Sequence, residues 1–198
     1  QDLLKIFNED PDRGMHGAAE WTLLRFGKGS ELARSMARLR SDTIVGDRQW
    51  YVTTQGRTKD GHTMVVVPGP ADFIMGSPAG ASSVGDNEAP HSQPIRRSFS
   101  IANKETTRAQ FEHFLSENPS HRYNRIPELQ LAPDCPQTFV TWDDAAAYCN
   151  WLSDQAGIPR EQWCYIPNPD GEYAARMTIA KDVIACNGYR LPTEAEWE

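Results

Sequence analysis

The spacing of apolar residues changes character near Trp50. Before it the period is helical. Met15, Ala18, Ala19, Thr22 and Phe26 fall at i, i+3, i+4, i+7 and i+11, with Asp12 placed to cap the helix and Gly27 to stop it. A second helix is expected behind Ser30, carrying Leu32, Met36 and Leu39 on one face. Beyond Trp50 the period shortens. Residues 50–54 and 64–67 are β-rich and flank a stretch holding Gly56 and Gly61, which reads as a hairpin or as a paired strand and loop. Pro68-Gly69-Pro70 breaks the run ahead of Phe73-Ile74-Met75. Residues 77–94, rich in Gly, Ser, Pro and Ala without a period, read as a surface loop. Arg97, Phe99 and Ile101 then alternate with Ser98, Ser100 and Ala102, as a half-buried strand does.

Three further helices announce themselves by one device. Thr107 with Gln110, Thr141 with Asp144 and Thr193 with Glu196 each place a hydroxyl three residues ahead of a side chain that reaches back, the pattern of a capping box. Phe111, Phe114 and Leu115 follow the first, and Ala145, Tyr148, Cys149 and Leu152 make a continuous apolar face behind the second, which should end near Gly157 and Pro159. Between Pro159 and Gly188 lies an aromatic stretch, Trp163-Cys164-Tyr165-Ile166, and the turn Pro167-Asn168-Pro169-Asp170-Gly171, together a packed excursion. Only five residues follow Thr193, too few for a helix to overcome its nucleation cost alone. The expectation is therefore a longer protein of which these 198 residues are the front part.

Two short amphipathic helices bury little surface alone. The segment Asn8-Glu9-Asp10-Pro11-Asp12-Arg13-Gly14 resembles the turn that opens repeats in helical solenoids, so residues 1–49 read either as the end of a helical repeat array or as a helical linker. Hydrophobic content of 39%, with six Trp, seven Phe and six Tyr, supports a true core in the remainder. The net charge of −7 is unevenly placed: residues 1–60 hold ten basic and nine acidic groups, whereas the rest hold ten and eighteen. No basic stripe is present to displace counterions from phosphates, so nucleic acid is excluded as a partner, and no apolar run approaches the length of a membrane span. The compartment stays open, with the cytoplasm favoured.

Four stretches in order resemble the formylglycine-generating enzyme family, also called the sulfatase-modifying factor family. Phe73-Ile74-Met75-Gly76-Ser77 resembles F-x-M-G-S, and Glu105-Thr106-Thr107-Arg108-Ala109-Gln110-Phe111 resembles E-V-T-N-x-Q-Y/F. Val140-Thr141-Trp142-Asp143-Asp144-Ala145-Ala146-Ala147-Tyr148-Cys149-Asn150-Trp151-Leu152 resembles V-S-W-x-D-A-x-A-Y-C-x-W-L, and Gly188-Tyr189-Arg190-Leu191-Pro192-Thr193-Glu194-Ala195-Glu196-Trp197-Glu198 carries the family signature. Thr106 stands where the family has Val, and Glu88, Pro90 and His91 are one residue tighter than E-x-P-x-H. The resemblance runs from about residue 61 to 198 and implies an α+β, C-type-lectin-like domain over residues 50–198, incomplete at its C-terminus and preceded by the helical segment 1–49.

The resemblance also implies an activity. The full-length protein is expected to oxidise a cysteine of a protein or peptide substrate to formylglycine with O2 and copper, and the 198-residue chain itself to be inactive. The alternative is a non-catalytic lectin-like binding module in a larger multidomain protein, since fold does not settle function. The family's cysteine pair, suited to Cu(I), and its calcium ligands lie after the signature, so none of Cys135, Cys149, Cys164 or Cys186 is assigned to copper and no residue to calcium. In some relatives the cysteine at position 149 pairs with one beyond this region. Spacings of 14, 15 and 22 residues between the four cysteines give no metal motif and fit buried thiols at least as well as disulfides. His16, His62, His91, His113 and His121 show no ligand spacing, and the iron-dependent branch takes its histidines from a helical motif that residues 1–60 lack. Glu194, Glu196, Asp143 and Asp144 read as first-turn carboxylates rather than acid–base groups, and Glu198 shares that structural reading. Arg190 is expected to meet a buried carboxylate, and Trp142, Trp151 and Trp197 are expected in the core rather than as a sugar platform.

Overall fold

The structure is a computed structural model that describes residues 3–53, 61–77, 89–123 and 132–198. Three helices come first: α1 (Leu3–Glu9), α2 (Arg13–Arg25) and α3 (Gly29–Leu39). The sequence pattern gives two, and α1 escapes it because seven residues are too short to show a period. Asp12 caps α2, accepting from the Met15 amide at 2.9 Å. Ser30 does not cap α3, which begins one residue earlier behind Lys28 without a side-chain cap. Phe7, Ala19, Leu23 and Leu32 form the core of this cluster, with Leu4, Met36 and Leu39 packed on it.

The inward face of α2 differs from the one its apolar period suggests. His16, Ala19, Glu20 and Leu23 point inward, while Met15 and Phe26 are exposed. Polar residues take the inner positions because partners await them on the neighbouring sheet. His16 is stacked between Phe7 and Trp50, with ring centroids 4.3 and 3.6 Å away, and its Nδ1 lies 2.8 Å from the Phe7 carbonyl. Glu20 accepts from Lys104 Nζ at 2.6 Å and from Asn103 Nδ2 at 2.9 Å. A hydrogen-bonded, paired carboxylate can occupy a buried site that a lone one cannot, and periodicity alone does not reveal the partner.

The sheet these groups meet has the order β1-β2-β5, all antiparallel, from β1 (Trp50–Val52), β2 (Thr63–Val67) and β5 (Phe99–Ala102). Its register sets Trp50 opposite Val65 and Val65 opposite Ile101, so the two runs flanking residue 56 are indeed paired. Thr54, Gly56 and Glu88 fall outside the described residues. A second ribbon joins β3 (Ala71–Met75) to β4 (His91–Ile95), with Met75 opposite His91. The stretch expected to be loop up to residue 94 therefore ends in a strand. Ahead of Ile95 the strand reads His91-Ser92-Gln93-Pro94, with no β-branched residue to mark it, and tertiary pairing supplies what propensity does not.

All three capping boxes form. Thr107 caps α4 (Arg108–Glu117), Thr141 caps α5 (Trp142–Gln155) and Thr193 caps α6 (Glu194–Trp197), each with both reciprocal bonds. Behind the first two, Phe111, Phe114, Ala147, Tyr148, Trp151 and Leu152 make the principal core. Helix α5 ends at Gln155 with Ala156 as its C-cap, and Gly157 beyond it adopts φ +68°. The excursion that follows is packed, as its composition suggests: a short 3-10 turn leads to the ribbon of β6 (Tyr165–Ile166) and β7 (Thr178–Ile179). The buried Asn150 side chain joins it to α5, donating to the Tyr165 carbonyl and to Tyr173 Oη. Among the described residues no helix is long and apolar enough to cross a membrane. The architecture is α+β.

Candidate functional site

The open face of the three-stranded sheet, the facing sides of α4 and α5, and residues 188–192 enclose a cleft of about 1080 Å³. Its lining is mostly apolar, with Met64, Ile101, Leu152 and Leu191 contributed by different elements, and Trp197 reaches it from α6. Gly188 allows the last wall to lie close, because a Cβ there would meet the Gln162 carbonyl at 2.7 Å and Trp163 Cα at 3.1 Å.

A buried polar node sits against this cleft. His62 Nε2 lies 2.9 Å from Tyr148 Oη, and Gln110 Nε2 makes a longer 3.5 Å contact with His62 Nδ1. With Gln110 donating to Nδ1, the ring proton sits on Nε2 and is donated to Tyr148. The His62 amide donates to Thr53 Oγ1 at 2.8 Å, which fixes the residue from its backbone side. Burial, helped by the nearby Lys104 charge, pushes the imidazole down to about 4, so the ring is neutral and acts as a hydrogen-bond relay between strand and helices.

The N3 side chain of each capping box has a second partner. Gln110 closes its box with Oε1, accepting from the Thr107 amide at 2.8 Å, and offers Nε2 to His62. Asp144 closes its box with Oδ2 and holds His121 Nε2 at 2.8 Å with Oδ1. Glu196 accepts from the Thr193 amide at 2.9 Å and takes both Arg190 Nη atoms at 2.6 Å. Burial alone would raise the Glu196 carboxyl, but the Arg190 fork and the Thr193 bonds outweigh it and hold the group below the ordinary carboxylate range. The hydrogen bonds to Glu196 in turn raise Arg190. The carboxylate expected for Arg190 is thus its own neighbour on α6.

The remaining candidates scatter. Glu194 is exposed on the first turn of α6, Asp143 is half-buried in that of α5, and Glu198 accepts from the Gly76 amide at 2.8 Å, tying α6 to the β3–β4 ribbon. His91 is exposed at the start of β4, with Nδ1 3.1 Å from the Ala89 carbonyl. His113 faces Glu117 at 3.3 Å. Of the three tryptophans placed in the core by sequence, only Trp151 is there, donating to Glu117 at 2.9 Å. Trp142 is 46% and Trp197 68% exposed, because each sits on the outward side of a first or last helical turn.

Cys149, Cys164 and Cys186 share one cluster with Tyr165, whereas Cys135 lies apart, beside the start of α4. All four are free thiols. Burial pushes the Cys149 thiol up to about 12 and Cys164 up to about 11. Among the described residues no group of three or more His, Cys, Asp and Glu is arranged to hold a metal ion. Neither the thiol cluster nor the His62 node is legible in sequence, since both join residues far apart in the chain. Only Gln110 carried a signal, through its box.

No curated protein matches the chain by sequence. Among solved structures it is similar to variable protein 1 of Treponema denticola, at 24% identity over 78% of this chain and 55% of that one, with a TM-score of 0.52. It is also similar to PvdO from Pseudomonas aeruginosa, at 22% identity over 57% of this chain and 46% of that one, with a TM-score of 0.47. The chain spans about half the length of the solved structures it matches, and the likeness to the Treponema protein is one of fold. The family model of the sulfatase-modifying factor enzyme 1-like domain matches residues 50–198, from β1 through the third capping box. That span covers most of the sequence and all four motifs, and the chain belongs to the sulfatase-modifying factor, or formylglycine-generating enzyme, family.

Proposed function

We propose that the protein carrying this chain oxidises a cysteine of a protein or peptide substrate to formylglycine with O2 and copper, and that the 198-residue chain alone does not perform the reaction. The observation that carries the reading is family membership across residues 50–198. Copper would supply the activation of O2 in such chemistry, and a soft thiolate pair would be needed to hold it. The thiols present here do not fit that task. Burial raises Cys149 to about 12 and Cys164 to about 11, which disfavours the thiolate, and Cys135 stands apart from the cluster. The chain's own part is the scaffold: it fixes the cleft between sheet and helices, keeps His62 neutral, and anchors residues 188–192 through the Arg190–Glu196 fork.

The test is conversion of a cysteine-containing peptide, followed by mass spectrometry and aldehyde trapping, in air with Cu(I) supplied. Both the 198-residue chain and the product of the complete reading frame are assayed. The expected result is aldehyde from the latter and none from the former. Conversion by the 198-residue chain would place the reactive centre within it and overturn the second half of the reading. Absence of aldehyde from both would overturn the first.

A further inference from the structure

We propose that Cys164 and Cys186 are a redox pair that closes into an intramolecular disulfide and so pins one wall of the cleft. Two backbone bonds tie the ends of the segment 180–188 to the stretch 162–164 just ahead of β6: the Ala180 amide donates to the Cys164 carbonyl at 3.0 Å, and the Gly188 amide to the Gln162 carbonyl at 2.9 Å. The Cys164 side chain points at this segment, with Sγ 3.2 Å from the Gly188 carbonyl and 3.9 Å from that of Val183. Cys186 packs on the same cluster, its Sγ 3.4 Å from the Asp182 carbonyl, and its thiol is near enough to Cys164 to help raise it.

Their exposures differ in the way a stepwise reaction needs. Cys186 is half-buried and reachable, whereas Cys164 is fully buried. The oxidant is a low-molecular-weight disulfide such as oxidised glutathione. The Cys186 thiolate attacks one of its sulfurs, forming a mixed disulfide and expelling one thiolate. Cys164 then gives up its proton and attacks the Cys186 sulfur, expelling the second. Two protein thiols are oxidised, one external disulfide is reduced to two thiols, and the two protons end on those products. Burial, which raises Cys164, makes it a poor first nucleophile and suits it to the second, intramolecular step. Cys149 shares the cluster but is carried by α5, outside the segment 180–188 whose ends are bonded to residues 162–164.

The consequence reaches the cleft, because Cys186 and residues 187–192 line it. In the reduced chain this wall is held by the backbone bonds at Gln162 and Cys164, by the Ser153 and Tyr165 hydroxyls that accept from the Tyr189 and Leu191 amides, and by the Arg190–Glu196 fork; in the oxidised chain it is covalently tied as well.

The experiment equilibrates the reduced 198-residue chain with glutathione buffers of increasing oxidised fraction. It is then quenched in acid, alkylated in denaturant, digested with trypsin and analysed by mass spectrometry. The expected result is loss of two hydrogen masses, alkylation of Cys135 and Cys149 only, and tryptic peptides 161–176 and 182–190 recovered as one linked species. Cys186→Ser should abolish the link and Cys135→Ser should leave it intact. Four alkylated cysteines at the most oxidising ratio, a glutathione adduct that persists on Cys186, or a link that includes Cys149 would each overturn the pairing.

Discussion

His62 shows how a single side chain can be costly and useful at once. Its ring is 4% exposed and sits between Gln110 and Tyr148, so the charged form would lose its solvation without gaining an opposite charge. The folded chain therefore keeps the ring neutral down to about pH 4, whereas the unfolded ring takes a proton near 6.5. The unfolded state binds more protons in that window, so stability from this group is intact above pH 6.5 and falls as pH drops toward 4. At 1.36 kcal/mol per unit the loss approaches about 3 kcal/mol at the acid end. His16, lowered first of all by burial, adds a slope of the same sign. The prediction is that His62→Gln, which keeps a donor and an acceptor, is less stable at neutral pH but loses less on acidification. Urea midpoints measured across this range for both chains check it, and equal slopes would remove His62 as the source.

Among the helices, one device recurs with unequal consequences. Thr141 closes a box whose Asp144 also holds His121, and it starts a helix that supplies Tyr148, Trp151 and Leu152 to the core. Thr193 closes a box on a four-residue helix with no buried residue. Losing an N-cap costs on the order of 1 kcal/mol, yet it reaches global stability only when the capped helix unfolds with the whole. Thr141→Ala is expected to cost about 1–2 kcal/mol, at the upper end of that range, and Thr193→Ala less than about 0.5 kcal/mol, as surface substitutions do. Chemical denaturation of both variants measures this, and similar losses would show that α6 is as integral as α5. The boxes were legible because a hydroxyl and its N3 partner lie three residues apart in the sequence. The inner face of α2 was not, because what places His16 and Glu20 inward is Trp50 on one side and Lys104 on the other, far along the chain. Strand β4 was missed for a related reason: His91-Ser92-Gln93-Pro94 pairs with a partner strand without showing strand composition. Short-range signals survive in a sequence; contacts that convert polar residues into core do not.

Those long-range contacts decide whether the molecule behaves as one body or two. The apolar period changes near Trp50, and the family match begins at residue 50. The helical segment nevertheless interlocks with the sheet. Trp50 is fully buried, stacked on His16, donating through Nε1 to the Asp10 carbonyl at 3.0 Å, with the Arg48 guanidinium 4.6 Å from its ring centre. Arg13 donates to the Val66 carbonyl at 2.8 Å, and Glu20 receives Lys104 and Asn103. Removing residues 1–41 would expose the Trp50 ring, leave Lys104 and Asn103 without their carboxylate and bare the outer edge of β1, where Arg40 bridges Val52. Exposing one large aromatic costs about 2–3 kcal/mol, and the uncovered edge invites pairing between molecules. Against a typical stability of about 5–15 kcal/mol, the shortened chain 42–198 should unfold at a distinctly lower urea concentration and aggregate near its transition. A shortened chain with an unchanged midpoint and a monomeric, cooperative transition would mean that the helices are a tethered appendage. In that case the buried Glu20 would be a local feature of the helical cluster, without a part in holding the family domain.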